Sequence, residues 1–212
     1  MLGVLWSIPH LMDDPRTEAQ GREETFFRLP DKALVGVGLI AFCSMTGEGA
    51  MADWSTNYLL KEVRAHPAVA PLGLAAFSTA MTLGRLLGDW GRLKVGDAWL
   101  LLGCSLLALT GLSVALLVLQ PWVVIGGLFA VGLGLSVVVP IAYSQAGSLP
   151  GLAPGVGIAM VTTIGYAGFL MGPPVIGFLA DWQTLRVALV FVLCLFGMMA
   201  ALSWRQVGGV RT

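Results

Sequence analysis

The sequence is short of charge. Only 11% of its 212 residues are Asp, Glu, Lys or Arg, against roughly a quarter in a soluble domain. That is too little to cover a water-facing surface of this size, so an ordinary soluble globule is excluded. The charges present cancel to a formal net charge of +0, and no basic excess is offered to nucleic acid. Cysteine is scarce as well. Cys43, Cys104 and Cys194 each stand alone in an apolar stretch. With no CxxC and no Cys/His pairing, neither a disulfide framework nor a metal site is expected; small buried thiols account for them. Catalytic patterns are missing too: there is no GxSxG, no HExxH and no phosphate loop ending in Gly-Lys-Ser/Thr. No enzyme activity and no cofactor are expected.

What is abundant is apolar length. Hydrophobic residues make up 57% and mean hydropathy is +0.84. Six apolar runs follow one another: Ala33 to about Leu60, Pro67 to Gly88, Ala98 to Leu119, Pro121 to Ala146, Ala153 to Ala180, and Leu185 to Trp204. Each is long enough to cross a bilayer, which takes about 20 residues as a helix. Barrel strands are about ten residues long and alternate in polarity, whereas these runs are continuously apolar. Helices also satisfy their own backbone groups in lipid. The fold class expected is an all-α membrane protein, a six-transmembrane-helix bundle over residues 33–204.

Residues 1–32 precede the bundle. Met1 to Met12 is mostly apolar but has no basic start and no small-residue cleavage site, so it does not read as a signal peptide. It suits the remnant of a preceding helix or a segment lying on the membrane. Asp13 to Lys32 (DDPRTEAQGREETFFRLPDK) holds ten of the 24 charged residues and reads as a water-exposed linker, with Phe26 and Phe27 touching the interface. Residues 205–212 form a short polar tail. His10 and His66 fall in loops and are assigned no role. With the N-terminus inside, nine Lys or Arg lie on the cytoplasmic side (Arg16, Arg22, Arg28, Lys32, Arg85, Arg92, Lys94, Arg205, Arg211) and three outside (Lys61, Arg64, Arg186). The positive-inside rule then puts both termini in the cytoplasm.

The 28 glycines crowd the fourth and fifth runs, as Gly126, Gly127, Gly132 and Gly134, and as Gly165, Gly168, Gly172 and Gly177. In lipid, small residues let helix backbones approach closely. Pro140, and Pro173-Pro174 after Gly172, remove backbone donors inside these runs and predict kinks or breaks.

Few polar residues lie inside the runs. Glu48 sits between Gly47 and Gly49, with no Lys or Arg at similar depth along the chain. Low dielectric disfavours its charged form, and an intramembrane acid is a functional candidate by default. It is read either as a proton-exchanging group or as a neutral acid bonding backbone freed by its flanking glycines. Asp53 and Asn57 share a helix face, as do Trp54 and Tyr58. A hydrogen-bonding face beside an aromatic one suits a sugar-like solute; for Trp54 and Tyr58, an interfacial aromatic belt is the stronger reading. Tyr143, Gln145 and Tyr166 are similar candidates on the fourth and fifth helices. Arg85 and Asp89, four apart, share a face and are expected to pair.

At Gly84-Arg85-Leu86-Leu87-Gly88-Asp89, followed by Arg92 and Lys94, the chain resembles the loop between the eighth and ninth helices of the major facilitator superfamily. GEGAMADWSTNYL (Gly47 to Leu59) is similar to the seventh helix of a fucose-permease-like bacterial branch, and GYAGFLMGPPVIGFLAD (Gly165 to Asp181) to the eleventh. The motif departs from the fuller pattern, since Trp90 follows Asp89 where Arg is usual. The resemblance covers nearly everything after Pro30. It implies the C-terminal six-helix half of a twelve-helix secondary transporter of a small solute, proton-coupled and sugar-like. It also implies that Gly84, Arg85, Gly88, Asp89 and Arg92 form a gate latching the inward-closed state; a topology-setting basic loop is the competing account. The partners implied are the lipid bilayer, the solute, and a complementary N-terminal half or a second copy of this chain. The rival reading is a truncated, non-transporting membrane protein, inactive or a scaffold.

The charge asymmetry makes a direct prediction. Reporter fusions after Arg92 and after Arg205 should signal cytoplasm, and a fusion near Arg64 the outside. An outside signal at Arg92 reverses the orientation.

Overall fold

A computed structural model describes residues 32–210, with side chains from 34 to 208. All regular structure among them is helical. The order is α1 (Lys32–Lys61), α2 (Pro71–Val95), α3 (Asp97–Leu117), α4 (Pro121–Leu135), α5 (Val138–Gly147), α6 (Pro154–Trp182) and α7 (Leu185–Val210). The segment 1–31, including Phe26, Phe27 and His10, lies outside the described residues.

Five segments are long and apolar enough to cross a membrane: Leu34–Lys61, Asp97–Leu117, Pro121–Gly147, Pro154–Trp182 and Leu185–Gly208. The chain is therefore a multi-pass membrane protein surrounded by lipid. α2, the remaining expected span, has 25 residues and a length of about 37 Å. Its charges, Arg85, Asp89, Arg92 and Lys94, set it apart in composition.

Two boundaries depart from the sequence pattern. α2 does not end at Gly88 but runs on to Val95, where Gly96 turns the chain at φ 80°. That φ is left-handed and costs glycine little. Asp89, Arg92 and Lys94 look like a loop by polarity alone; here they are the last two turns of a helix, where cations complement the C-terminal carbonyls. α7 likewise continues past Trp204 to Val210.

The prolines act differently from one another. The fourth run is broken at Ser136–Val137, between α4 and α5. Pro140 lacks the N–H that would bond the Ser136 carbonyl, which explains the position of the break. Pro173 and Pro174, by contrast, lie inside an unbroken α6. The Phe169 carbonyl, deprived of its donor at residue 173, faces α1, where a Cβ on Gly49 would stand 3.3 Å from it.

α1 is the central helix, packing on α6, α7, α5, α2 and α4. Its Leu34, Ile40, Met51 and Leu59 are all buried. Tyr58 is not at an interfacial belt: it is 1% exposed, and its hydroxyl donates to the Ala115 carbonyl of α3 at 3.0 Å. It is thus a buried cross-helix tie. α2 and α6 both pack on α1 but not on each other. The α1–α6 seam runs through Gly165 against Met45, and Gly168 and Gly172 against Thr46. α2 lies so close on α4 that a Cβ on Gly132 would meet the Phe77 carbonyl, and one on Gly84 the Ser136 hydroxyl. At Gly132 glycine is a condition of the fold, because the backbone carbonyl it faces cannot swing aside.

Gly132→Ala should therefore destabilise the bundle by about 1–3 kcal/mol. Gly103→Ala, with open space around its Cα, should be neutral. Unfolding in mixed micelles by increasing SDS distinguishes them.

Candidate functional site

The deepest charges meet. Arg85 Nη2 of α2 lies 3.6 Å from Glu48 Oε1 of α1, with side chains 56% and 30% exposed. This overturns two expectations. Glu48 does have a cation at its depth, and Arg85 pairs with Glu48 rather than with Asp89, which stands exposed one turn along. The reason is the length of α2. Arg85 precedes the helix end by ten residues, about 15 Å, and so lies well inside the span rather than in a loop. Glu48 is sixteen residues into α1, about 24 Å from its start.

The glycines of the Gly-Arg-x-x-Gly motif do the positioning. Gly84 and Gly88 lie on the α4–α5 break, against Ser136 and Val137 respectively. The face carrying Arg85 is thereby left free to turn toward α1.

A second polar group forms where α2 ends. Arg92 makes a bidentate pair with Asp97, Nε to Oδ1 at 2.8 Å and Nη2 to Oδ2 at 2.9 Å, and donates to Ser144 Oγ at 3.0 Å. One guanidinium thus joins α2, the first residue of α3, and α5. Polarity flagged Arg92; Asp97 and Ser144 had no signal beyond the five-residue spacing of the acid. Lys94 rests over the Trp90 ring at 4.4 Å, so the Trp that departs from the usual motif holds a cation here.

The remaining candidates scatter. Asp53 is exposed and Asn57 half-buried on α1. Trp54 covers Gly177 of α6, its indole N–H buried without a partner among the described residues. Tyr166 is 52% exposed on α6. Tyr143 and Gln145 join other environments. Tyr143 packs on a small apolar cluster with Leu34, Val37 and Val161. Gln145 exchanges hydrogen bonds with Gln206 of α7 at 3.1 and 3.3 Å. Gln145 also lines a cavity of about 750 Å³ with Asp97, Arg205 and Gln206. Among the described residues no cluster of His, Cys, Asp and Glu suits a metal.

The bundle has counterparts among known proteins. The chain is 33% identical over 198 residues to membrane protein MosC of Rhizobium meliloti, spanning 93% of this chain and 48% of that protein. It is 37% identical over 173 residues to an uncharacterised MFS-type transporter of Yersinia pestis, covering 82% and 45%. An uncharacterised transporter of Sinorhizobium fredii is 34% identical, covering 82% and 46%. The chain belongs to the major facilitator superfamily. It spans about half the length of these curated relatives. A crystal structure of the peptide transporter POT, an E310Q mutant in complex with sulfate, superposes with a TM-score of 0.73 at 15% identity, over 82% of this chain and 37% of that one. It shows that the bundle has the fold of one half of a major facilitator transporter. No family model matches the sequence.

The Arg92–Asp97 pair is about one-third exposed on each side, so its coupling should be modest, about 1 kcal/mol. A double-mutant cycle on Arg92→Gln and Asp97→Asn, read by thermal unfolding in detergent, should show that coupling as non-additivity. Strict additivity removes the clamp from the account of the α2–α3 turn.

Proposed function

We propose that this chain forms the C-terminal half of a secondary active transporter of a small, hydroxylated, sugar-like solute, with proton coupling through Glu48. The observation that carries the reading is the Glu48–Arg85 pair, deep in the bundle and partly exposed. Lipid does not accept such a pair cheaply. Its exposed side therefore belongs on a water-filled cleft against a second bundle, where substrate sites of such transporters lie. Asp53 and Asn57, on the same helix as Glu48, supply hydrogen-bonding groups for a hydroxylated solute; exposed Tyr166 supplies an aromatic face. Gln145, which lines the cavity with Asp97, Arg205 and Gln206, and half-buried Tyr143 two residues before it are further candidates for contact with the solute.

One bundle provides one wall. The other comes from a complementary six-helix half or a second copy of this chain. Gating is assigned to Gly84, Gly88 and Arg92, which tie α2 to the α4–α5 break from its two sides, with Asp89 exposed beside them. Pro140 makes that break, and Gly172 with Pro173 and Pro174 sets the α6 seam. Both termini, with the linker 1–32 and the tail, lie on the cytoplasmic side of the inner membrane.

The test is uptake into vesicles holding this chain and its complementary half, with and without an imposed proton gradient. Glu48→Gln fixes the shape of the protonated acid. It should abolish gradient-driven accumulation, by about tenfold or more, and retain exchange of solute for solute. Full accumulation by Glu48→Gln rules out the coupling role.

A further inference from the structure

The guanidinium of Arg85 has five N–H donors, yet among the described residues no hydrogen bond reaches it. Glu48 at 3.6 Å is an ion-pair neighbour, beyond good hydrogen-bond range. Asp89 makes no ion pair with it. Arg92, at the end of α2, already spends its Nε and Nη2 on Asp97 and Ser144. Arg85 is therefore a fixed positive charge, 56% exposed, with its fork of donors largely unspent. The planar fork of arginine matches a carboxylate or phosphate in bidentate fashion, whereas a neutral hydroxyl leaves most of that capacity unused.

We infer that the solute carries an acidic group, and that Arg85 binds this group in competition with Glu48. This rests on the transport reading above and deepens it: the sugar-like solute becomes a sugar acid or a sugar phosphate. In the empty site Glu48 balances Arg85. When the solute's anionic group takes the guanidinium, two anions would face one cation, and the displaced Glu48 carboxylate takes up a proton. The charge balance closes. Arginine with a glutamate anion is neutral; arginine with a bound monoanion and a protonated glutamic acid is also neutral. One monoanion and one proton thus load together without net charge; a sugar phosphate, whose second pKa is about 6, meets that balance as its monoanion.

The experiment is equilibrium dialysis of the full 212-residue chain together with its complementary half, in nanodiscs, against radiolabelled gluconate, glucose 6-phosphate and glucose. At least one of the two acids should bind, about tenfold or more tighter than glucose, as expected for a charge-assisted hydrogen-bond pair. Gluconate alone points to a carboxylate, and glucose 6-phosphate alone to a phosphate. Arg85→Gln should lose about tenfold or more, with Arg85→Lys between it and the natural chain because it keeps the charge without the fork. Glu48→Gln should tighten acid binding several-fold, since it removes the competitor. Circular dichroism checks that each variant is folded. Equal binding of glucose and the acids, weakening by Glu48→Gln, or no acid bound by the folded chain overturns the inference. Vesicle uptake separates it from the reading beneath it. Gradient-driven uptake of glucose indifferent to Arg85→Lys overturns acid selectivity and leaves transport standing. Acid binding without uptake of any solute supports the Arg85 assignment and removes transport.

Discussion

The distance at which α2 lies on α4 governs much else in this bundle. In lipid no hydrophobic effect drives two apolar helices together, and close van der Waals contact has to serve instead. At Gly132, Gly84 and Gly88 the two backbones come near enough that any side chain would strike a carbonyl, a hydroxyl or a valine methyl. This contact fixes the rotation of α2 about its axis. One face is held on the α4–α5 span, and Arg85 is turned toward Glu48. The same contact brings the end of α2 within side-chain reach of α5, where Arg92 finds Ser144. A charge pair deep in the bundle is thus a result of where three hydrogens replace three side chains.

Much of the architecture was legible in the residues themselves. Long apolar runs, scarce charge and abundant glycine identify a helical membrane bundle, because lipid restricts the alternatives so severely. The start of α1 and the limits of α3 and α6 fall within two residues of the composition boundaries. The end of α2 does not, because composition registers polarity whereas a helix ends where its backbone is turned aside, here at Gly96. That single difference hid the ion pair. With α2 stopped at Gly88, Arg85 falls in its last turn, at the membrane surface, and Glu48 has no partner. Nothing in a separation of 37 positions signals that the two meet; it takes the packing of α2 against α1. The prolines teach a similar limit. Pro140 and Pro173-Pro174 share one local chemistry, and only the first coincides with a broken helix.

Site residues were legible by type more than by company. Glu48 stood out as an acid in an apolar helix, a signal that needs no structure. Tyr143 and Gln145 were chosen on the same logic; Tyr143 packs beside an apolar cluster, and Gln145 bonds Gln206 where both line a cavity. Tyr58, an aromatic near a helix end, is likewise bound to a carbonyl of α3. Polarity within a membrane helix marks a group that needs a partner. Whether that partner is another helix or a solute depends on what the neighbouring elements bring within reach.

The pairing of Glu48 with Arg85 also bears on how the chain is made. An arginine near the middle of a helix disfavours its partition from the insertion machinery into lipid by roughly 2.5–3.5 kcal/mol. Synthesis runs from N- to C-terminus, so α1 reaches the membrane before α2 does. The carboxylate is already waiting when the guanidinium arrives, and the two helices are separated by only nine residues, 62 to 70. Glu48 and Arg85 can therefore enter the bilayer with their two charges cancelled, which neither helix could achieve for its own deep charge alone.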